Sequence, residues 1–129
     1  MQEPNTHPRI APSLCGTPVA LAPGRAVVRL TLGPAMAVDD RGLVHGGFVF
    51  GLADYAAMLA VNDPLVVLGA AEVRFTAPTA VGETLEAEAV QDEDAGKKRR
   101  VSVTVRRGDK AVFTGSFTCF VLQQHVLDL

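Results

Sequence analysis

The sequence predicts an α+β fold in which an antiparallel sheet wraps around one central helix. Three observations lead to this fold class. A single apolar segment, residues 48–61, is rich in Ala, Leu, Met and Phe and has no β-branched run, which favours a helix. Segments that alternate apolar and polar residues predict two short strands before this helix. Further segments of the same kind predict four strands after it.

The helix has clear start and stop signals. Gly46 and Gly47 open the apolar segment, and Pro64, which cannot continue a helix, follows Asn62 and Asp63 at its end. Apolar side chains surround the segment almost completely. We therefore expect the helix to be buried on nearly all sides.

The strands are predicted from period-two patterns and from turn residues. VSVTVR, the turn RRGDK and AVFTGSFTCFVL together predict a long hairpin over residues 99–122. TLEAEAVQ predicts a strand with Leu85, Ala87 and Ala89 on its inner face. LVVLGAAEVRF predicts a strand that is more buried in its first half, and GTPVAL and AVVRLTL predict strands on either side of a Pro-Gly turn.

Length and composition indicate one ordinary globular domain. The chain has 129 residues, 48% of them hydrophobic, and a net charge of −2, which gives no general attraction to nucleic acid or anionic membranes. No stretch approaches the roughly 18 apolar residues of a membrane span, and the first residues contain no secretion signal. We expect a cytoplasmic protein with a loose N-terminal arm (1–13), a domain (14–122) and a C-terminal tail (123–129).

The two cysteines, Cys15 and Cys119, lie far apart in the sequence and lack metal-ligand or redox spacing. We interpret them as small buried hydrophobic residues in a reducing compartment. No metal site and no separate cofactor are predicted.

Asp54 is the only carboxylate in the apolar segment. A charge in apolar surroundings is costly unless it is satisfied or used, and helix propensity does not explain an aspartate. Three interpretations remain open: a contact at an interface, a helix break, or a catalytic group. We favour catalysis, because burial raises the pKa of a carboxyl group toward the range of a general base.

The start of the helix offers hydrogen-bond donors, in contrast to the carboxylate of Asp54. Gly46 and Gly47 leave backbone N–H groups unpaired at the positive end of the helix dipole, where a ligand can approach closely. Such N–H groups suit a carbonyl oxygen that becomes an oxyanion. The alternative is an ordinary glycine-rich loop. His45, just before the pair, either contacts the carbonyl or holds the loop in place.

The spacing of these groups predicts a shared site. Gly47 and Asp54 lie about 10 Å apart along one helix, whereas a base and an oxyanion donor must both lie within roughly 3 Å of the reacting atoms. One helix cannot supply both groups. Two antiparallel helices related by the twofold axis of a homodimer can do so.

Several motifs together resemble a known family. HGG is followed seven residues later by LAD, and then by EVRFTAPTAVGETLEAEA and KKRRVSVTVRRGDKAVFTGSFTCF. Over about residues 14–122 the chain resembles the hotdog-fold acyl-CoA thioesterases, most closely the phenylacetyl-CoA type. The resemblance implies that the Gly47 N–H binds the thioester oxygen. It also implies that Asp54 of the partner subunit is the general base or nucleophile.

The chain departs from the family pattern at two places. Asp39 stands where family members usually have asparagine, and LGAA (68–71) stands where many have serine or threonine. We predict substrate contacts for Asp39, for Gly46 and for Tyr55.

A basic cluster lies at the start of the hairpin. We predict that Lys98, Arg99 and Arg100 bind the phosphates of the CoA moiety through charge-assisted hydrogen bonds. The alternative is a solvated hairpin end whose charge is balanced by the acidic residues 92–94.

These observations favour hydrolysis of an acyl-CoA thioester to a free acid and CoA, by a homodimer or a dimer of dimers. One alternative is a non-catalytic acyl-CoA-binding domain that acts as a sensor, although few residues precede the first strand for an attached DNA-binding module. A less favoured alternative is an acyl-thioester hydratase or dehydratase, whose paired histidine and carboxylate have other spacings. No nucleic-acid or membrane partner is expected.

Overall fold

The secondary structure follows the predicted order. The structure, a computed structural model, describes the backbone of residues 1–129 and every side chain except those of residues 93–95. Its elements are α1 (Pro12–Cys15), β1 (Thr17–Ala22), β2 (Arg25–Thr31), a short 3-10 turn (Pro34–Met36), α2 (Gly46–Val61), β3 (Val66–Phe75), β4 (Thr84–Ala95), β5 (Lys98–Arg107), β6 (Lys110–Val121) and a second 3-10 turn (Val126–Asp128). The long helix and the six strands are confirmed, and α1 is an addition that the sequence did not predict.

The six strands form one sheet in the order β1-β2-β4-β5-β6-β3, and each neighbouring pair is antiparallel. Helix α2 packs mainly against β4, β2 and β5, at the centre of the sheet. The predicted α+β hotdog architecture is therefore confirmed. None of the helices among the described residues is long and apolar enough to cross a membrane.

The core lies between α2 and the inner face of the sheet. Leu85, Ala87 and Ala89 are fully buried there, as their alternation in β4 predicts. Helix α2 contributes fully buried small residues such as Ala56 and Ala57 to the same core. Because small side chains face the interior from both elements, the helix can approach the sheet closely and remove apolar area from water along most of its length.

The N-terminal arm, for which the sequence predicts a loose conformation, contacts the end of α2. The Asn5 N–H donates to Asn62 Oδ1 (2.7 Å), and Asn62 Nδ2 donates to the Glu3 carbonyl (3.0 Å). Asn62 caps the helix with a left-handed φ of 54°, and Thr6 of the arm is buried.

Strands β1 and β3 lie at the two edges of the sheet. In β3, Val66 is buried whereas residues 69–72 are exposed, which confirms the predicted decrease of burial along this strand. An edge strand carries a row of backbone groups that its own sheet leaves unpaired. The exposed part of β3 is therefore suited to pairing with another chain.

Candidate active site

The loop before α2 presents a free backbone donor at the helix start. His45 is the N-cap residue; its own N–H donates to the Met36 carbonyl (3.0 Å), and its side chain makes no capping bond. The Phe48 N–H bonds back to the His45 carbonyl (3.2 Å). In the part of the chain that the structure describes, the Gly47 N–H has no hydrogen-bond partner. This N–H lies at the positive end of the helix and is available to a ligand oxygen.

The neighbours of the glycine pair explain why both positions lack a side chain. A Cβ added to Gly46 would lie 3.1 Å from the ring of Phe75, and one added to Gly47 would lie 2.7 Å from His45 Nε2. The His45 imidazole is exposed and lies directly beside the Gly47 backbone. The structure thus brings His45, Gly46 and Gly47 together, with an aromatic wall on one side of the pair and an imidazole on the other.

Asp54 lies two turns further along the same helix and is half-buried. Its Oδ1 is buried without a hydrogen-bond partner among the described residues. Burial raises the pKa of this carboxyl group above its usual range. A buried carboxylate oxygen that lacks a donor is costly, so its position favours a water molecule, a substrate group or a partner chain at this point.

Two thiols lie within electrostatic reach of Asp54. Burial and the Asp54 charge raise the pKa of Cys15, and the same two causes raise the pKa of Cys119 to about 12. Both side chains are therefore neutral thiols near pH 7. The described residues contain no group of three or more His, Cys, Asp or Glu that could hold a metal ion.

One face of α2 is left uncovered by its own chain. Gly47, Gly51 and Asp54 are spaced by four and three residues, which places them on the same side of a helix. Apart from the two flanking residues and the backbone of α2 itself, no atom of the described residues lies within 4 Å of the position where Gly51 would carry a Cβ. The sequence analysis missed Gly51. Its position four residues after Gly47, on the same side of the helix, was the signal in the sequence that pointed to it.

Asp39 organises the loop that leads to His45. Its Oδ1 accepts hydrogen bonds from the N–H groups of Arg41 (3.0 Å) and Leu43 (3.1 Å), and the residue is exposed. The loop is tied further by a β-bridge between Ala37 and Val44. Within one chain, the carboxylate of Asp39 therefore binds its own backbone.

Tyr55 follows Asp54 but points toward the N-terminal arm. It is 5% exposed, and its ring lies 6.2 Å from the ring of His7. Burial, and to a smaller extent the neighbouring Cys15 thiol, raise the pKa of Tyr55. Within one chain this side chain is part of the packing between α2 and the arm.

The basic cluster lies at the other end of the sheet. Lys98 is paired with Phe120, close to the first residues of β3, whereas Phe75 beside the helix start is the last residue of β3. Lys98 and Arg100 are exposed. Arg99 is half-buried and donates to the Gly96 carbonyl and to Gln91.

The predicted balance of this cluster by acidic residues is described only for Asp92, whose carboxylate accepts a hydrogen bond from Ser102 (2.6 Å). Glu93 and Asp94 lie outside the residues whose side chains the structure describes. Within one chain, the structure does not bring the cluster, Asp54 and Gly47 together. Gly47 and Asp54 lie at different points along α2, and the cluster lies on β5.

An antiparallel sheet of six strands wrapped around one long helix is the architecture of the hotdog class. The solved structure of the uncharacterized protein PH1136 from Pyrococcus horikoshii is 54% identical, covers 98% of both chains and has a TM-score of 0.97. A mutant of the phenylacetic acid degradation protein PaaI from Thermus thermophilus is 32% identical. It covers 84% of this chain and 95% of that one, with a TM-score of 0.77. The chain therefore belongs to the hotdog-fold superfamily of phenylacetyl-CoA thioesterase-like proteins.

Curated relatives are longer than this chain. A methylthioribose-1-phosphate isomerase of Aquifex aeolicus is 48% identical over 118 residues, which are 91% of this chain but 26% of that protein. The transcription factor FapR of Shouchella clausii is 30% identical over 96 residues, 74% of this chain and 50% of that protein. The chain thus spans a quarter to a half of these relatives, whose names describe whole proteins. No family model matches the chain.

Proposed function

We propose that this protein hydrolyses an acyl-CoA thioester to a free acid and CoA. The observation that carries the proposal is the single uncovered face of α2. Gly47 offers a free backbone donor on this face, and the half-buried Asp54 on the same side of the helix has a buried Oδ1 without a hydrogen-bond partner among the described residues. The first group suits a developing oxyanion and the second suits a base with a raised pKa. Membership in a superfamily of thioesterase-like proteins supports the same reaction.

The active site is shared between two protomers. Gly47 and Asp54 of one helix are about 10 Å apart, so one carbonyl group cannot reach both. Packing of two antiparallel helices through the face that carries Gly51 places each Asp54 near the partner's Gly47. The uncovered face of α2 and the exposed edge of β3 support such a dimer, because both offer surface that the single chain leaves without a partner.

The reaction follows from this arrangement. Asp54 accepts a proton from water while the water oxygen attacks the thioester carbonyl carbon. The carbonyl electron pair moves to its oxygen, and the partner's Gly47 donates its backbone N–H to the resulting oxyanion. When the C–S bond breaks, the sulfur takes the electron pair and receives the proton from Asp54. In the nucleophilic variant the carboxylate itself attacks, and water then cleaves the mixed anhydride.

The other predicted residues have supporting roles. His45 lies beside Gly47 and can donate a second hydrogen bond to the oxyanion from its imidazole. Lys98 and Arg100 are exposed at the end of the sheet near the end of α2, so they are free to hold phosphates of the CoA moiety. Gly46 lets the backbone at the helix start pack against the Phe75 ring, since a Cβ there would lie 3.1 Å from that ring.

A second candidate function is favoured by one observation. The chain is 30% identical to part of a transcription factor, which is compatible with an acyl-CoA-binding domain that senses its ligand without turnover. The two functions differ in what the Asp54 carboxylate does. A sensor needs it to bind, whereas a thioesterase needs it to accept a proton.

Release of free thiol from a panel of acyl-CoAs separates the two functions. A thioesterase produces CoA at a rate proportional to the protein concentration, and it gives one acid per thiol. Because Cys15 is a free, half-buried thiol, a protein blank without substrate is subtracted. Binding by calorimetry without thiol release would contradict hydrolysis and support the sensor. Loss of absorbance from an enoyl-CoA would instead support a hydratase.

A further inference from the structure

A cavity lies on the Gly46 side of the helix start, opposite His45. It has a volume of about 350 Å³ and lies between α2, the end of β3 and the start of β6. Its apolar lining consists mainly of Val44, Gly46, Val49, Phe75, Ala77 and Val112. Gly46 is part of this lining and directly precedes the free N–H of Gly47. A thioester whose oxygen binds that N–H therefore has one of its two substituents at the cavity entrance.

Most polar groups of the cavity are already bonded within the chain, and the Thr79 hydroxyl is a lining group without a hydrogen bond to the described residues. The Thr76 hydroxyl donates to the Ala111 carbonyl (2.9 Å), and the Thr76 and Ala77 N–H groups donate to the Val112 carbonyl. The pantetheine arm of CoA carries amide groups that need hydrogen-bond partners when buried. An acyl chain carries none. The cavity is thus chemically suited to the acyl substituent and poorly suited to pantetheine.

Phe75 forms the outer wall of this cavity. Its side chain is 54% exposed, and its ring stands edge-to-face on the fully buried Phe113, with centroids 5.1 Å apart. The same ring contacts Gly46, where an added Cβ would lie 3.1 Å away. Phe113 and Gly46 therefore hold the ring in place. The cavity volume lies near the small end of the range of about 300–1,000 Å³ that ligand pockets occupy.

We infer that this cavity binds the acyl group of the substrate and that Phe75 limits the length of that group. The inference rests on the proposed thioester hydrolysis and adds the substrate class, compact apolar acyl groups. Removing the ring opens the outer wall of the cavity, so that a longer chain can extend past this point. Adding a methyl group at Gly46 does the opposite, because the new Cβ and the Phe75 ring compete for the same space.

The test compares kcat/KM across saturated acyl-CoAs from acetyl to dodecanoyl in the wild type, Phe75→Ala, Phe75→Leu and Gly46→Ala. We expect Phe75→Ala to raise the ratio of dodecanoyl to butanoyl turnover by about tenfold or more, since single methylenes in an apolar pocket are worth factors of that size. Phe75→Leu should give a smaller rise, and Gly46→Ala should lower the ratio. Val90→Ala, which removes a 40% exposed side chain from β4, is the matched control.

If the variants are active but kcat/KM changes by the same factor for every chain length, the inference about Phe75 is overturned. The proposed hydrolysis is then still intact. The same variants are also titrated with non-hydrolysable thioether analogues of acyl-CoA by calorimetry. If the wild type binds these analogues without any turnover, hydrolysis fails, and the chain-length ratio of Kd values still decides the role of Phe75. Failure of the wild type to bind any acyl analogue would overturn both.

Discussion

The two halves of α2 have the same apolar composition and different tasks. From Tyr55 to Ala60 every residue is at most 5% exposed, and the segment is enclosed by the sheet and the N-terminal arm. From Gly46 to Asp54, buried residues such as Leu52 are interspersed with glycines, and the half-buried Asp54 has a buried Oδ1 without a hydrogen-bond partner among the described residues. The second half anchors the helix. The first half carries the glycines and the carboxylate for which we propose a role in catalysis.

The difference shows how one helix combines stability with chemistry. A group with an unsatisfied oxygen lowers stability, and glycines inside a helix cost about 1 kcal/mol each relative to alanine. Both are confined to the half that the sheet does not fully cover. The packing of the second half offsets these costs, so mutations in the two halves should separate activity from stability.

The largest expected effect is at the carboxylate. Asp54→Asn keeps the shape of the side chain but cannot accept the proton, so turnover should fall by roughly 10²-fold or more, the usual scale for losing a general base. The initial rate of thiol release measures it, with fold and dimer checked by circular dichroism and light scattering. A rate near that of the wild type would remove Asp54 from the mechanism.

The next prediction tests whether the two reactive groups act across a dimer. Gly47→Pro deletes the backbone donor, and proline is tolerated in the first turn of a helix because that N–H has no helical partner. Gly47→Ala is the matched control: it adds the same Cβ beside His45 but keeps the N–H. We expect Gly47→Pro to be inactive and Gly47→Ala to retain the larger share of activity.

Mixing Gly47→Pro with Asp54→Asn chains, then unfolding and reassembling them, should restore about one quarter of wild-type activity. Half of the dimers are then mixed, and each mixed dimer has one site with both lesions and one with neither. Native mass spectrometry confirms the mixed dimers and separates dimers from tetramers. Mixed dimers without any recovered activity would contradict the shared site.

The second half of the helix should respond in stability instead. Leu59 is fully buried, and Leu59→Ala leaves a cavity that should lower the free energy of unfolding by about 2–5 kcal/mol. The turnover number of the remaining folded protein should change little. Urea unfolding followed by circular dichroism measures the first quantity and thiol release the second. A loss of turnover like that of Asp54→Asn would erase the distinction between the two halves.

A smaller effect is expected at the far end of the sheet. Lys98→Ala combined with Arg100→Ala should raise KM for acyl-CoA by between about twofold and thirtyfold, since exposed ion pairs are worth about 0.2–1 kcal/mol each. KM for an acyl-pantetheine without the nucleotide phosphates should not change. Lys110→Ala, at the opposite end of the same hairpin, is the control. Equal losses on both substrates would favour a solvated hairpin end.

The smallest effect is the pH dependence of stability. An aspartate titrates at about 3.9 in an unfolded chain, and burial raises the pKa of Asp54 in the folded protein. The folded state therefore holds this proton more tightly, and the wild type loses stability as pH rises through the folded-state pKa. The Tm of Asp54→Asn should exceed that of the wild type near pH 7, and the gap should shrink toward pH 4. If the Tm difference between Asp54→Asn and the wild type is the same at every pH, the Asp54 carboxylate is not buried without compensation.

The sequence was sufficient to predict the secondary structure, and it singled out Gly47 and Asp54 as candidate reactive groups. The period-two pattern of β4 and the apolar run of α2 follow from the geometry of strands and helices, so they are visible without tertiary contacts. Gly47 and Asp54 were predictable for the same reason, because one is a glycine at a helix start and the other is a charge in an apolar segment. Their spacing along one helix predicts in addition that a second chain completes the site.

Only the tertiary structure decided which distant residues meet these groups. Phe75 reaches Gly46 through the strand order β6-β3 and its register, and His7 reaches Tyr55 because the arm is tied to Asn62. The basic cluster lies at the far end of the sheet from Phe75 for the same topological reason. Local periodicity cannot report such contacts, because they depend on how segments far apart in the chain pair and pack, and no single segment encodes its partner.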